Sequence, residues 1–278
     1  MEAVLLVVLA AFSIWVYWGN TAIQTTGISI HSEKLPEPFD GFVIAHISDL
    51  HNAIFGDGQG RLLETMRAVA PDLIAVTGDL IDSRHTDIER ALEFIRGAVQ
   101  IAPVYYVTGN HESRVSEYPQ LEKQIEETGV VILRNKSTAL EREGACIRLM
   151  GLDDPSFASK GGAGSRASVA EAALKNMMTD DSNFVVLLSH RPELFDIYAS
   201  KGIDLVLCGH AHGGQVRLPF VGGLVAPNQG VFPQYTAGVH IKRQTNMVVS
   251  RGLGNSIAPV RINNRPELVV ITLLSKGI

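Results

Sequence analysis

Short apolar runs alternate with segments whose apolar residues recur at helical spacing along most of this 278-residue chain. This alternation predicts an α/β fold. Short apolar runs that indicate buried strands lie at residues 42–47, 73–77, 104–107, 130–133, 138–140, 145–150, 184–188 and 205–207. Apolar residues at helical spacing lie at residues 59–69, 88–99, 119–128 and 169–178. Strand–helix alternation indicates parallel pairing, while the C-terminal third is rich in short strands and glycine. Two packed mixed sheets flanked by helices accommodate both parts.

Residues 3–18 form an almost unbroken apolar run without a charged side chain, and Trp15, Tyr17 and Trp18 cluster at its end. As a helix the run would be roughly 24 Å long, a little short of a ~30 Å hydrocarbon core, and residues 19–23 could lengthen it. A retained membrane anchor over residues 1–23 is favoured over a cleaved signal peptide or a buried core helix. The reason is that residues 1–33 contain no Lys or Arg and no clear cleavage site follows the run.

The sequence therefore predicts a membrane protein with a single N-terminal pass. The side of the membrane that carries the folded domain stays open, because no flanking basic residue orients the helix. Residues 24–41, which include the strand-like stretch 27–31, follow as a short connecting segment, and residues 42–278 form the domain.

Composition argues against a disordered chain and against one class of partner. The chain is 46% hydrophobic and 19% charged, which supports a sizeable core and argues against disorder. Its net charge is −5 and it has no long basic tract, so nucleic acid is not an expected partner.

Five polar motifs follow apolar runs. They are Asp49-Leu-His51, Gly78-Asp79-Leu-Ile-Asp82, Gly109-Asn110-His111-Glu112, Ser189-His190 and Gly209-His210-Ala-His212. Taken singly, most of them are better explained by a turn or by a buried polar residue. Asp, Asn and His are ligands for hard and borderline divalent metals, and the ends of parallel strands can converge in space. The set therefore predicts a two-metal site. His46, in the middle of a strand, is interpreted as a packing residue.

The order and spacing of these motifs resemble the calcineurin-like metallophosphoesterase superfamily over residues 42–215. The run Gly-His-Ala-His-Gly-Gly-Gln and the segment 250–254 are similar to its membrane-anchored bacterial branch. The resemblance implies a four-layer α/β/β/α sandwich with a dinuclear centre in a catalytic domain.

The resemblance also implies a role for each motif residue. Asp49, His51 and His212 would hold the first metal, Asn110, His190 and His210 the second, and Asp79 would bridge both. His111 would lie near the leaving group as a general acid, and Asp82 would orient it. Ser83 follows Asp82 where phosphoprotein phosphatases have an arginine, which weakens a protein-phosphatase assignment.

The function implied is hydrolysis of phosphomono- or diesters by a hydroxide that bridges two divalent metal ions. Mn is favoured, with Fe, Zn or a mixed pair as alternatives. The N-terminal anchor makes a lipid-linked phosphate or pyrophosphate an attractive substrate. The competing hypotheses are a non-catalytic metal-binding scaffold of the same fold and a nuclease, which the acidic balance disfavours. The oligomeric state stays open.

Three further elements lie beside the metal motifs. Arg114 and Arg191 either meet substrate phosphate or form surface salt bridges, and the role of Arg84 is open. The glycine-rich residues 159–166 are either a phosphate-contacting loop or, by preference, a flexible surface loop.

Overall fold

The computed structural model describes residues 1–159, 164–179, 183–255 and 260–275. Within these ranges the α-helices are Glu2–Thr21 (α1), Gly60–Ala68 (α2), Ile88–Ala98 (α3), Tyr118–Glu127 (α4), Ser156–Ser159 (α5), Arg166–Met177 (α6) and Phe195–Ser200 (α7). The strands of the first half are Gln24–His31 (β1), Phe42–Ile47 (β2), Leu73–Thr77 (β3), Val104–Val107 (β4), Val131–Ile132 (β5), Lys136–Arg142 (β6) and Ala145–Gly151 (β7). Those of the second half are Val185–Leu188 (β8), Leu205–Cys208 (β9), Arg217–Leu218 (β10), Gly222–Gly223 (β11), Val225–Ala226 (β12), Gly230–Val231 (β13), Gly238–Lys242 (β14), Thr245–Val249 (β15) and Glu267–Leu274 (β16).

Two six-stranded mixed sheets form the centre of the molecule. The first has the order β1-β16-β2-β3-β4-β5, in which β2 to β5 are parallel and β16 is antiparallel to β2. The second has the order β14-β15-β9-β8-β7-β6, in which only the edge strands β14 and β6 are antiparallel to their neighbours. The strands β10 to β13 form two short hairpins outside these sheets.

Three apolar clusters hold the layers together. Ile44 and Leu207 belong to the cluster between the two sheets. Leu92 of α3 belongs to the cluster that joins α2, α3 and α4 to the outer face of the first sheet. Leu174 of α6 belongs to the cluster that joins α6 and α7 to the outer face of the second sheet. Since both faces of the central strands are covered, β3, β8 and β9 are buried at every position, which explains their unbroken apolar runs. The predicted four-layer α/β/β/α sandwich is confirmed.

Helix α1 lies outside the sandwich. It has 20 residues, so it is ~30 Å long at ~1.5 Å per residue, and none of its side chains is buried. Its length and composition are sufficient for crossing a membrane. Contacts with the folded domain are made near its C-terminal end, where Asn20 and Trp18 meet Arg261 and Arg265.

The segment expected as a connection, residues 24–41, contains the edge strand of the first sheet. All eight residues of β1 pair in parallel with β16, from Gln24 opposite Glu267 to His31 opposite Leu274. Ile30 is buried in the cluster between the sheets. The sequence marks this stretch as strand-like, but its partner is almost 250 residues away, a pairing that local periodicity does not encode.

Candidate metal centre

The five polar motifs lie at one edge of the sandwich. Asp49 and His51 follow β2, Asp79 follows β3, Asn110 follows β4, His190 follows β8, and His210 and His212 follow β9. In the first sheet β2, β3 and β4 are parallel to one another, and in the second sheet β8 and β9 are parallel. The carboxyl ends of these five strands meet at the same edge. The structure thus brings together seven side chains that span more than 160 positions of the chain.

The first group of side chains consists of Asp49, His51, Asp79 and His212, all buried. The Nε2 atoms of His51 and His212 are 3.2 Å apart. His212 Nε2 is 3.4 Å from Asp49 Oδ1, and His51 Nε2 is 3.5 Å from Asp79 Oδ2. Two imidazole nitrogens and two carboxylates therefore point at one small volume.

The second group consists of Asp79, His190 and His210. His190 Nε2 is 3.2 Å from Asp79 Oδ2 and 3.1 Å from His210 Nδ1. Asn110 lines the same cleft, and no described residue donates a hydrogen bond to its buried Oδ1 atom. Asp79 Oδ2 is common to both groups, which is the placement that a bridging ligand requires.

The spacing of these atoms fits a pair of divalent cations. Ligand atoms about 2.1 Å from one cation stand roughly 3.0–3.4 Å apart, as the paired nitrogens do here. His190 Nδ1 lies 2.7 Å from the carbonyl oxygen of Thr77 and donates to it, so the lone pair on Nε2 faces Asp79. A buried amide oxygen without a donor, at Asn110, is likewise explained if it faces a cation.

The electrostatics of these side chains lead to the same conclusion. Burial by itself lowers the pKa of His190, but the charge of Asp79 and the hydrogen bond to it raise that pKa to about 10. Burial opposes the charged form of Asp79 as well, yet His190 holds its pKa well below the usual value. Burial lowers the pKa of His212 to about 3, so this ring stays neutral and keeps a lone pair for a ligand. The proton on His190 is one that a bound cation would displace.

The backbone at the site is strained. Asp49, Asp79 and His210 have φ values of 52°, 52° and 65°, and those of His51 and His212 are 45° and 47°. Residues other than glycine rarely adopt this left-handed backbone region, and such backbone strain concentrates at functional sites. Gly209 is required for a different reason: a Cβ atom there would overlap Ser48 Oγ and Asp49 Oδ2.

Glu112 links two of the metal loops, a role that its place in the third motif does not reveal. Its fully buried carboxylate accepts hydrogen bonds from the backbone N–H groups of Gly109, Asp79 and Leu80 at 2.8, 3.0 and 2.8 Å. Burial and the charge of Asp79 raise the pKa of Glu112 to about 7. The carboxylate holds the loops after β3 and β4 in one arrangement, so it positions Asp79 and Asn110 without facing the metals.

His111 lies beside the two groups, with Nε2 4.0 Å from Asp79 Oδ2. Its Nδ1 atom accepts a hydrogen bond from the backbone N–H of Ser83 at 3.0 Å and lies 3.1 Å from the Ser83 hydroxyl. Asp82 Oδ2 is farther away, at 4.0 Å from His111 Nδ1 and 3.7 Å from His51 Nδ1. Ser83 is therefore the nearer partner of His111, and only the fold shows this.

Arginines surround a cleft of about 120 Å³ in front of the metal groups. Arg114 and Arg166 line it and are exposed, so they can meet a ligand. Arg166 comes from residues 159–166, of which 160–163 lie outside the described residues, and it donates to Asn228 Oδ1. Arg191 also lines the cleft but is buried and pairs with Asp154, with Nε–Oδ2 at 2.7 Å, so it forms an internal ion pair.

Asn228 is a site residue that the motifs miss. Its Nδ2 atom lies 2.7 Å from His210 Nε2, and it belongs to the turn between β12 and β13. His46, interpreted as a packing residue, is buried and has Nε2 2.8 Å from Thr77 Oγ1, and burial lowers its pKa to about 4.

Comparison with known proteins adds an independent result. The sequence model described as calcineurin-like phosphoesterase matches residues 42–214. The Bacillus subtilis protein named uncharacterized metallophosphoesterase YkuE is 30% identical, over 91% of this chain and 86% of its own. Phosphodiesterase YaeI of Escherichia coli is 27% identical over 73% of this chain and 71% of its own.

Two further comparisons concern the helix and the fold. A zebrafish protein named transmembrane protein with metallophosphoesterase domain is 28% identical over 90% of this chain, which spans 57% of that protein. The crystal structure of TT1561 of Thermus thermophilus has a TM-score of 0.52 at 15% identity, and covers 77% of this chain and 90% of its own.

Proposed function

The chain belongs to the calcineurin-like phosphoesterase family and is a hydrolase acting on ester bonds, and we propose that it is a membrane-tethered, dinuclear metal-dependent phosphoesterase. The observation that carries the proposal is the position of Asp79 Oδ2, 3.5 Å from His51 Nε2 in one group and 3.2 Å from His190 Nε2 in the other. One carboxylate oxygen that faces two sets of ligands is the arrangement for two adjacent cations.

The proposed ligand sets follow the two groups. Asp49, His51 and His212 hold the first cation, Asn110, His190 and His210 hold the second, and Asp79 bridges them. Mn is the metal that we would test first, with Fe and Zn as alternatives, because nitrogen and oxygen donors are mixed. Bound cations supply a water of lowered pKa and positive charge at the phosphoryl group.

The chain's own contribution to bond cleavage is proton donation by His111. The acid is the protonated ring, in which Nδ1–H can donate to the Ser83 hydroxyl oxygen 3.1 Å away and Nε2 carries the proton to be given up. Nε2 faces the cleft, where it can donate to the leaving oxygen of the ester. Ser83 and the more distant Asp82 position the ring.

The substrate is a phosphate ester, and the proposed position of the cleft at the membrane narrows the class of ester. Helix α1 would hold the cleft close to lipid headgroups, which favours a lipid-linked phosphate or pyrophosphate. The exposed Arg114 and Arg166 are placed to contact a second phosphate or a diester oxygen at the mouth of the cleft. Because the E. coli relative is named a phosphodiesterase, a diester is the first soluble probe.

Turnover by the full chain in neutral detergent tests the proposal. The protein would be assayed with Mn against a phosphomonoester, a phosphodiester and a lipid pyrophosphate, with metal content measured in parallel. We expect hydrolysis of at least one ester, and loss of both hydrolysis and metal in Asp79→Asn. Two bound metals with no turnover on any of the three would favour the alternative, a non-catalytic metal-binding scaffold.

A further inference from the structure

A cavity of about 200 Å³ lies between the anchor helix and the folded domain. Helix α1 contributes Trp15 and Trp18 to its wall, and the domain contributes Arg251, Arg261 and Arg265. Tryptophan side chains of a membrane helix locate at the headgroup level of the bilayer. If α1 crosses a membrane, this cavity is therefore at the depth of the lipid phosphates.

The anchor is joined to the domain in a defined geometry. The Asn20 side chain, near the end of α1, accepts a hydrogen bond from the backbone N–H of Arg261 at 2.7 Å and donates to the Arg261 carbonyl oxygen at 3.0 Å. Arg265 donates to the carbonyl oxygens of Ala22 and Ile23, and its guanidinium lies 4.4 Å from the centroid of the Trp18 ring. These contacts fix the cavity wall, so the cavity is a built feature of the junction.

The wall has more positive charge than the described residues around it neutralise. All three side-chain hydrogen bonds of the buried Arg261 go to neutral oxygens, those of Asn255, Arg251 and Gly254. Both bonds of Arg265 go to backbone carbonyls. Among the described residues, only Glu267 pairs a carboxylate with one of these arginines, with Arg251 Nη2 2.9 Å from Glu267 Oε1. A guanidinium stays charged at neutral pH, so the cavity favours an anion.

Two side chains in the wall, Arg251 and Asn264, hold buried polar atoms that have no hydrogen-bond partner among the described residues. Arg251 Nε is a buried donor, and Asn264 Oδ1 is a buried acceptor. Buried polar atoms in native proteins are almost always paired, so an orphaned guanidinium nitrogen beside a cavity points to a ligand. Arginine presents its N–H groups in a fork that matches phosphate oxygens.

We propose that this cavity binds the phosphate of an anionic phospholipid headgroup, with Arg251 as its principal ligand. The inference depends on the membrane location in the proposed function. The cavity is smaller than the ~300–1,000 Å³ of sites that enclose a drug-sized molecule, so it takes a headgroup while the acyl chains stay in the bilayer beside α1. Basic pockets beside membrane helices bind anionic headgroups in this way.

The site also adjoins the metal centre. Asn264, which lines the cavity, donates through Nδ2 to the carbonyl oxygen of His212 at 2.7 Å. An added Cβ at Gly213, the next residue, would lie 3.0 Å from Arg251 Cγ. A bound headgroup would therefore stabilise the turn that carries His210 and His212.

Thermal unfolding of the full chain in nanodiscs tests the site. The nanodiscs would contain phosphatidylcholine alone, phosphatidylcholine with phosphatidylglycerol, or phosphatidylcholine with inorganic phosphate in the buffer. We expect phosphatidylglycerol to raise the unfolding midpoint by about 5 °C near saturation, and inorganic phosphate to have little effect. The response should weaken with salt. An equal response to inorganic phosphate, or no response to phosphatidylglycerol, would overturn the proposal.

Three variants separate the site from general charge effects. Arg251→Gln should raise the lipid concentration needed for half the response at least tenfold, while Arg67→Gln, the same change on the exposed face of α2, should not. Gln24→Glu keeps the Arg251–Glu267 pair and adds a negative charge to the wall, so it should also weaken the response. A wild-type response in both Arg251→Gln and Gln24→Glu would contradict the proposal.

Hydrolysis of a soluble diester by the same nanodiscs keeps the two proposals distinguishable. A lipid response without hydrolysis of this diester, or of the monoester and the lipid pyrophosphate named above, would support the headgroup site and contradict the proposed activity. Hydrolysis without a lipid response would support the proposed activity and contradict the headgroup site.

Discussion

Replacing Glu112 by Gln tests whether one buried carboxylate holds two loops of the metal site together. The change keeps the size of the side chain and removes its charge. In the protein, Glu112 Oε2 accepts from Gly109 and Asp79, and Oε1 accepts from Leu80 and, at 3.5 Å, from Ile81. A glutamine has one acceptor oxygen, so its amide NH₂ group must face backbone N–H donors on one side.

The cost follows from these bonds. If the amide nitrogen replaces Oε2, two hydrogen bonds to a charged acceptor are lost, at about 1.5–3 kcal/mol each. The raised pKa of Glu112, about 7, shows that burial and Asp79 already oppose its charge, so the lower end of this range applies. We expect a loss of about 3 kcal/mol, which lowers the unfolding midpoint by roughly 6–12 °C in a domain of this size.

The measurement combines thermal unfolding with metal analysis of the full chain. Glu112→Gln should lose stability and at least one of the two metals, because Asp79 and Asn110 lie on the two loops that the carboxylate joins. Glu126→Gln, on the exposed face of α4, is the matched control and should change neither. Wild-type stability together with two bound metals in Glu112→Gln would refute the reasoning.

Three further predictions concern the site. His111→Ala should lower turnover of an ester with a poor leaving group and leave metal content unchanged, and full activity on that ester would end its assignment as the acid. Ser83→Ala should have a milder effect, severalfold in kcat, because the backbone N–H that donates to His111 remains. Gly209→Ala should unfold at a lower temperature and bind less metal, since its Cβ would overlap Asp49, whereas Gly27→Ala, with open space around it, should bind metal normally. Equal metal content in the two glycine variants would argue against the overlap.

Local sequence was sufficient for most of the fold. The apolar runs at residues 42–47, 73–77 and 104–107 are the strands β2, β3 and β4 without a shift, because strands covered on both faces leave an unbroken apolar signal. Helix α3 was equally clear, because its apolar residues repeat at helical spacing. The family and the fold class that the motifs predicted are confirmed, while the individual ligand roles stay predictions.

The features that the sequence did not predict depend on long-range packing. Separate elements are joined by the pairing of β1 with β16, by the bonds from backbone N–H groups of two loops to Glu112, and by the contact of Ser83 with His111. Nothing in the local pattern around Glu112 marks it as buried, since glutamate is usually exposed.

The sequence by itself therefore determined the five strands that carry the metal motifs, their ends to within one residue, and which Asp, Asn and His side chains follow them. These properties depend on hydrophobic periodicity, which a chain carries in its own order of residues. Only the tertiary structure decided that Asp79 Oδ2 faces both ligand groups, and that the end of α1 meets Arg251, Arg261 and Arg265 around a cavity. Those distances are set by how two sheets and an anchor pack against one another, and packing is a property of the whole fold.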